Sequence, residues 1–136
     1  MLSDDDRTRL LEAATLAAAR AYVPYSHFRV GAAVLTEQGT VHAGCNVENA
    51  SYGLTICAER NALFQMVATA PRPIAVRAIL IYTPTPAPTA PCGACRQVIH
   101  EFGPRCAVLC VCDGPDQIAT TLDQLLPAAF GPRSLD

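Results

Sequence analysis

The chain has 136 residues, of which 51% are hydrophobic and 16% are charged, and its formal net charge is −2. That length allows one ordinary domain, and we expect residues 1–136 to form a single one. The ten basic residues are arginines scattered along the chain, whereas a nucleic-acid polymer is bound by clustered basic charge. We therefore expect no nucleic-acid partner. A short chain with so many hydrophobic residues is also expected to bury apolar surface between subunits.

No targeting or membrane-spanning segment is expected. The first residues are acidic and polar, the reverse of the basic start of a signal peptide. The longest apolar runs have the length of a strand and are too short to cross a bilayer. These features predict a soluble, cytoplasmic protein without a membrane partner.

The first half of the chain predicts a helix, a hairpin and a second helix. In order, the elements are a helix from Ser3 to about Tyr22, strands Phe28–Thr36 and Thr40–Asn46, a loop Val47–Thr55, and a helix from Cys57 to about Ala70. Ser3 is a suitable helix cap, and Pro24 lies just beyond the helix end. The two strands flank a short turn containing Gly39, which predicts an antiparallel hairpin.

The second half alternates strands and helices. The elements are a strand Val76–Tyr82, a stiff loop Thr83–Pro91 with four prolines, a helix Cys92–Phe102, a strand Ala107–Cys112, a short helix Thr121–Leu126 and a tail containing Phe130. The strand Val76–Tyr82 has almost no polar residue, which is typical of a central strand buried on both faces. An early hairpin followed by alternating helices and strands predicts an α/β fold, a single three-layer α-β-α domain with a mixed sheet.

Seven cysteines are many for this length, and their number is odd. In a reducing compartment they are better interpreted as ligands, nucleophiles or core residues than as disulfides. Cys106, Cys110 and Cys112 lie in one apolar run, and we expect them to be small buried side chains. Cys45, in a predicted strand, has the same interpretation.

The other three cysteines form a pattern typical of a metal site. Cys92 and Cys95 are three residues apart, so a helix would bring both sulfurs together near its positive N-terminal end. Cys57 at the start of another helix would add a third sulfur and leave the fourth tetrahedral position of a zinc ion open, as in catalytic sites. Glu59 would then face that open position as a general acid and base, provided that the zinc lies over the end of the helix axis. Arg60 could hydrogen-bond the thiolates and offset their charge.

Two other interpretations of the cysteines stay open at this point. Cys92 and Cys95 could be a redox pair, which would place them after the first strand of a β-α-β unit and would leave Cys57 unexplained. A structural zinc would need a fourth ligand, for which Cys45 is the best candidate. The histidines do not compete as ligands, because His27, His42 and His100 are isolated from one another.

Three stretches of the chain closely resemble the small, homotetrameric cytidine deaminases. They are Tyr25–Val34 (Y-S-H-F-R-V-G-A-A-V), Gly44–Leu63 (G-C-N-V-E-N-A-S-Y-G-L-T-I-C-A-E-R-N-A-L) and Pro91–Ile99 (P-C-G-A-C-R-Q-V-I). The last two contain the zinc deaminase signature of Cys-x-Glu followed by Pro-Cys-x-x-Cys. The resemblance extends over nearly the whole chain, in order and in spacing.

The resemblance implies a role for each matching residue. It implies that Cys57, Cys92 and Cys95 bind zinc, that Glu59 shuttles protons, and that Arg60 tempers the thiolate charge. For the substrate it implies that Phe28 packs on the pyrimidine and that the main chain at Ala58 and around Cys92 contacts the base. It implies that Asn46 and Glu48 hold the ribose hydroxyls. It also implies that Tyr52 and Phe130 reach a neighbouring subunit's site.

The resemblance also implies an activity. We expect zinc-dependent hydrolysis of cytidine and 2′-deoxycytidine to uridine and 2′-deoxyuridine in pyrimidine salvage, with one Zn²⁺ per chain. The expected assembly is a homotetramer with composite active sites, and the expected partner is a small nucleoside. A blasticidin-type or other nucleoside-analogue deaminase is the alternative.

Overall fold

The computed structural model describes residues 2–136. Its helices are α1 (Asp4–Ala19), α2 (Ala58–Thr69), α3 (Gly93–Phe102) and α4 (Leu122–Leu125), with 3₁₀ turns at Tyr52–Leu54 and Pro132–Leu135. Its strands are β1 (Gly31–Thr36), β2 (Val41–Cys45), β3 (Val76–Thr83), β4 (Ala107–Cys112) and β5 (Ile118–Thr121). None of the helices in this described part is long and apolar enough to cross a membrane.

The five strands form one mixed sheet in the order β2-β1-β3-β4-β5. β1 and β2 form the predicted antiparallel hairpin, in which Leu35 pairs with Val41 and Gly39 takes the left-handed conformation, with φ at 90°. β1 is also antiparallel to β3, whereas β3 and β4 are parallel and are joined by α3. The expectation of a mixed sheet with an early hairpin is therefore confirmed.

Helices cover the sheet on both faces. Because successive strand residues point to opposite faces, Leu80 of β3 packs with Leu10 and Ala14 of α1, whereas its neighbour Ile79 packs with the side of α2 and α3. β3 lies in the middle of the sheet, and most of its residues are buried. The predicted three-layer α-β-α architecture is confirmed.

Two predicted boundaries were wrong for the same reason, namely pairing with a distant segment. α1 ends at Ala19 rather than near Tyr22, because Tyr22 pairs with the segment around Val47: its N–H donates to the Asn46 carbonyl, 3.0 Å away. β1 begins at Gly31 rather than at Phe28. The backbone of residues 28–30 bonds instead to the side chain of Asn46, which is eight per cent exposed.

The sequence interpretation also missed β5. This strand has four residues on the edge of the sheet, antiparallel to β4, and its residues are only partly buried. Four residues are too few to show a period of two, so residues 118–120 were assigned to no element and Thr121 was expected to begin the last helix. Of the cysteines predicted to be in the core, Cys106 and Cys110 are buried, whereas Cys45 and Cys112 are only partly so.

Candidate active site

The three predicted metal-binding cysteines lie at the N-terminal ends of two helices. Cys57 is the residue that caps α2 and Cys92 is the residue that caps α3, and both have extended rather than helical backbone angles. Cys95 follows in the first turn of α3 and is buried. Two residues apart on one helix, Cys57 and Glu59 would point to nearly opposite sides. Because Cys57 is extended and only Glu59 lies on the helix itself, both side chains can face the same site.

The start of α2 is held against β2 by a close backbone approach. A Cβ atom added to Gly44 would lie 2.4 Å from the nitrogen of Ala62, so only glycine leaves room for the helix. Nearby, the Asn61 side chain donates to the carbonyl of Cys45 at 2.8 Å. These contacts fix the first turn of α2, and with it Cys57 and Glu59, relative to the sheet.

The three sulfurs are arranged as a metal site requires. The sulfurs of Cys57, Cys92 and Cys95 all lie within 4.8 Å of one another, and those of Cys57 and Cys92 are 3.8 Å apart. Three thiolates are a donor set that zinc prefers, and three protein ligands leave a fourth position open. Cys45 is not part of this group within residues 2–136. The residues present therefore fit one zinc ion of the catalytic kind.

Electrostatics at the site favour a thiolate on Cys57. Its pKa is lowered to about 5, first because the Cys95 thiol donates to its sulfur and also because Arg60 does. The Nη2 atom of Arg60 lies 3.3 Å from that sulfur. The same hydrogen bond raises the pKa of Cys95. Arg60 thus contacts the thiol cluster, as the sequence predicted.

Glu59 lies beside the sulfurs and is almost completely buried, with five per cent of its surface exposed. Burial raises the pKa of this carboxyl, and the negative charge of Cys57 adds to the shift. A carboxyl with a raised pKa exchanges protons near neutral pH more readily than an exposed one. The position and the pKa of Glu59 both suit a general acid and base.

The predicted substrate-binding residues Phe28, Asn46 and Glu48 form a second cluster. The side chain of Asn46 donates to the Phe28 carbonyl at 2.7 Å and accepts from the Val30 N–H at 2.9 Å. The Glu48 carboxylate accepts hydrogen bonds from residues 25 and 26, and the one from the Ser26 hydroxyl is the main reason that its pKa is lowered. The Phe28 side chain is 40% exposed and free to meet a ligand.

A short backbone bridge joins the two clusters. Val47, which lies between Asn46 and Glu48, exchanges two hydrogen bonds of 3.0 Å with Ile56, the residue just before Cys57. The chain therefore brings the predicted sugar-binding residues next to the start of α2. Ala58 is the first residue of that helix, where backbone N–H groups have no partner within the helix and can bind a ligand.

The two remaining aromatic residues are exposed. Tyr52 is 75% exposed and its ring packs edge-on against Tyr25, with ring centres 5.9 Å apart. Phe130 is 60% exposed, and within the chain its carbonyl accepts a hydrogen bond from Gln97 of α3. Their expected role toward a neighbouring subunit stays a prediction.

Sequence reasoning missed several residues that position the site. Ser26 and Tyr25 contact Glu48, 22 and 23 positions further along the chain, and no local pattern signals such a pairing. Arg96 donates to the carbonyl of Pro91 at 2.8 Å and so holds the segment that leads into α3. Gly44 could have been found, because an isolated glycine in a strand often marks a close backbone approach.

The fold and the site together define a zinc-binding deaminase. The family described as "Cytidine and deoxycytidylate deaminase zinc-binding region" matches residues 4–111 of the chain. Membership of this family decides against the interpretation of Cys92 and Cys95 as a redox pair, although α3 does lie between the parallel strands β3 and β4. It also explains Cys57, which a redox pair leaves without a role.

Individual relatives agree with the family match. A cytidine deaminase of Sporosarcina psychrophila is 45% identical over 96% of this chain and 95% of its own, and one of Mycobacterium tuberculosis is 44% identical over 96% and 93%. The crystal structure of cytidine deaminase from Burkholderia pseudomallei superposes with a TM-score of 0.82 at 51% identity, over 90% of this chain and 98% of that one. The chain therefore belongs to the cytidine deaminase family of hydrolytic deaminases.

Proposed function

We propose that the protein hydrolyses free cytidine and 2′-deoxycytidine to uridine and 2′-deoxyuridine with release of ammonia, as a step of pyrimidine salvage. The observation that carries the proposal is the buried carboxyl of Glu59 beside three converging thiols, next to a polar cluster suited to a sugar. The cytidine deaminases that the chain matches over more than nine-tenths of its length support the same substrate.

Each step of the reaction has a group in the site to perform it. Zinc bound to Cys57, Cys92 and Cys95 would supply the Lewis acidity that makes water a nucleophile at neutral pH. Glu59 takes a proton from the attacking water and delivers it to N3 of the ring, so that oxygen adds to C4. Glu59 then passes the second proton of the water to the amino group, and the C4–N bond breaks to release ammonia.

The sugar cluster sets the preference for a free nucleoside. A carboxylate at Glu48 can accept a hydrogen bond from a free 3′-hydroxyl, and a hydrogen bond to a charged group is stronger than one between neutral groups. Free cytosine lacks that donor, and a 3′-phosphate replaces it with a second negative charge. DNA and RNA have a phosphate there at every internal position, so the same residue excludes polymers.

We also propose that the active protein is a homotetramer whose sites are completed by neighbouring subunits. Two exposed aromatic side chains support this assembly, namely Tyr52 and Phe130, because large apolar groups in water favour burial against a partner. Tyr52 and Phe130 are the residues proposed to enter a neighbour's site.

A substrate panel tests the proposed function. Turnover is compared for cytidine, 2′-deoxycytidine, cytosine, cytidine 3′-monophosphate, blasticidin S and a single-stranded oligonucleotide containing cytosine. We expect the two nucleosides to be deaminated and the other four to be poor substrates. Glu48→Gln should raise the KM for cytidine and reduce the penalty on the 3′-phosphate. Equal kcat/KM for cytidine and the oligonucleotide would contradict the free-nucleoside assignment, and preference for blasticidin S would replace it with the antibiotic-deaminase alternative.

A further inference from the structure

Residues 25 and 26, in the segment between α1 and β1, are held by the side chain of Glu48 from the loop that follows β2. Glu48 accepts hydrogen bonds at Oε1 from the backbone N–H groups of Tyr25 and Ser26, at 3.0 and 3.1 Å, and at Oε2 from the hydroxyl of Ser26. The same Ser26 hydroxyl accepts from the Phe28 N–H at 3.0 Å. A single serine hydroxyl therefore connects the proposed sugar-binding carboxylate to the backbone of the aromatic proposed to pack on the base.

The count of acceptor positions shows what this arrangement leaves for a ligand. An ionised carboxylate offers roughly four acceptor positions, two on each oxygen. Oε1 uses both of its positions on backbone donors, and Oε2 uses one on Ser26. The position left for a sugar hydroxyl is thus on Oε2, the oxygen that the Ser26 hydroxyl orients.

The turn depends on such contacts because its backbone is strained. His27, between Ser26 and Phe28, has a φ of 58°, in the left-handed region that residues with a Cβ seldom adopt. Its N–H donates to the carbonyl of Val23 at 3.0 Å. Strained conformations persist only where surrounding contacts hold them, and they concentrate at functional sites.

We propose that Ser26 is a positioning residue for the deamination reaction: its hydroxyl orients the Glu48 oxygen that receives the sugar hydroxyl and fixes the Phe28 backbone at the same time. This inference rests on the function proposed above. Ser26 does not touch the reacting atoms, so it acts on the binding of the sugar rather than on proton transfer at Glu59. Binding of the sugar and placement of the aromatic are then coupled through one hydroxyl.

The test compares kcat and KM for cytidine and 3′-deoxycytidine in the purified, zinc-loaded protein and in Ser26→Ala. For cytidine we expect kcat/KM to fall about tenfold, almost entirely through KM, with kcat within about twofold. Tenfold corresponds to 1.4 kcal/mol, which is within reach of a hydrogen bond to a charged group. For 3′-deoxycytidine, which has no 3′-hydroxyl for Oε2 to bind, the same substitution should change kcat/KM less than about threefold. Only the hydrogen bond to the Phe28 N–H is lost for this substrate, and Asn46 still binds the Phe28 carbonyl.

Two further serine variants separate positioning from stability. Ser26→Thr keeps a hydroxyl and should restore most of the kcat/KM for cytidine. Ser3→Ala removes the side chain that caps α1, at 3.1 Å from the Asp6 N–H, and should lower Tm without changing KM. Should Ser26→Ala fail to fold, Ser26→Cys supplies a weaker donor of similar size, and the smaller loss that it causes should again be confined to cytidine.

The outcomes are distinguishable from failure of the proposed function. If the wild-type protein does not deaminate cytidine, the proposed function itself is wrong. If it does, equal losses for cytidine and 3′-deoxycytidine in the Ser26 variants would overturn the positioning role, as would the absence of any loss. A loss confined to kcat would also overturn it, because it would place Ser26 in the chemical step.

Discussion

Replacement of Glu59 by glutamine tests the proposed division of labour between proton transfer and metal binding. Glutamine has the shape of glutamate but cannot accept and return the protons that deamination requires. General acid and base catalysis typically contributes about 10²–10⁴-fold, and Glu59 is proposed to carry both proton transfers, so we expect kcat to fall toward the upper end of that range.

The structure also predicts what the substitution leaves unchanged. Glu59 is five per cent exposed, and burial raises its pKa, so ionising it inside the fold is costly. A neutral amide of the same size avoids that cost, and we expect Tm at neutral pH to be equal to or above that of the wild type. The zinc content should stay at about one ion per chain, since the three sulfurs are intact.

Two controls accompany this measurement. Glu59→Asp keeps the carboxyl but withdraws it by one methylene, and a displacement of about 1 Å can cost about 10²-fold in rate. Glu101→Gln makes the same chemical change on the exposed side of α3 and should alter neither kcat nor zinc content. The assays are the loss of cytidine absorbance and elemental analysis of zinc. Stoichiometric loss of zinc from Glu59→Gln would refute the reasoning, because Glu59 would then be a ligand.

Three other changes test the site and the assembly. Gly44→Ala should lower Tm by several degrees in a thermal melt, because the added Cβ would overlap the α2 backbone and overpacking costs about 1–3 kcal/mol of folding free energy. An unchanged Tm would contradict the close approach of β2 and α2. Cys57→Ala should bind much less than one zinc ion per chain, whereas Cys45→Ala should still bind one. Loss of zinc from both variants would indicate a site with four cysteine ligands. A chain ending at Ala129 should bind cytidine more weakly with little change in Tm. Light scattering should show the full chain as a tetramer, and a fully active monomer would exclude active sites shared between subunits.

The features that could be predicted from the sequence are those with a local cause. Cys92 and Cys95 are three residues apart at the start of a helix, and that spacing alone brings their sulfurs together. Ser3 caps α1 as its residue type predicts, and the nearly continuous apolar run of β3 indicated a central strand. These patterns depend on neighbours within one turn or one strand, so they can be read without a structure.

The features that could not be predicted depend on residues far apart in the chain. The strand β1 begins three residues later than expected, because the side chain of Asn46 takes the hydrogen bonds of residues 28–30. Ser26 gains its contacts only when the loop of Glu48 folds beside it. The edge strand β5 is too short to show alternation. The chemistry of the metal site could thus be predicted, whereas the way in which the fold orients the sugar cluster could not.

The most direct test of the account is the dependence of cytidine deamination on zinc content. The purified protein is stripped with a chelator under reducing conditions, and zinc is returned in fractions of one ion per chain while the loss of cytidine absorbance is followed. We expect a rate that rises in proportion to bound zinc and levels off at one ion per chain. Full turnover in the stripped protein, or no turnover of cytidine at one zinc per chain, would contradict it.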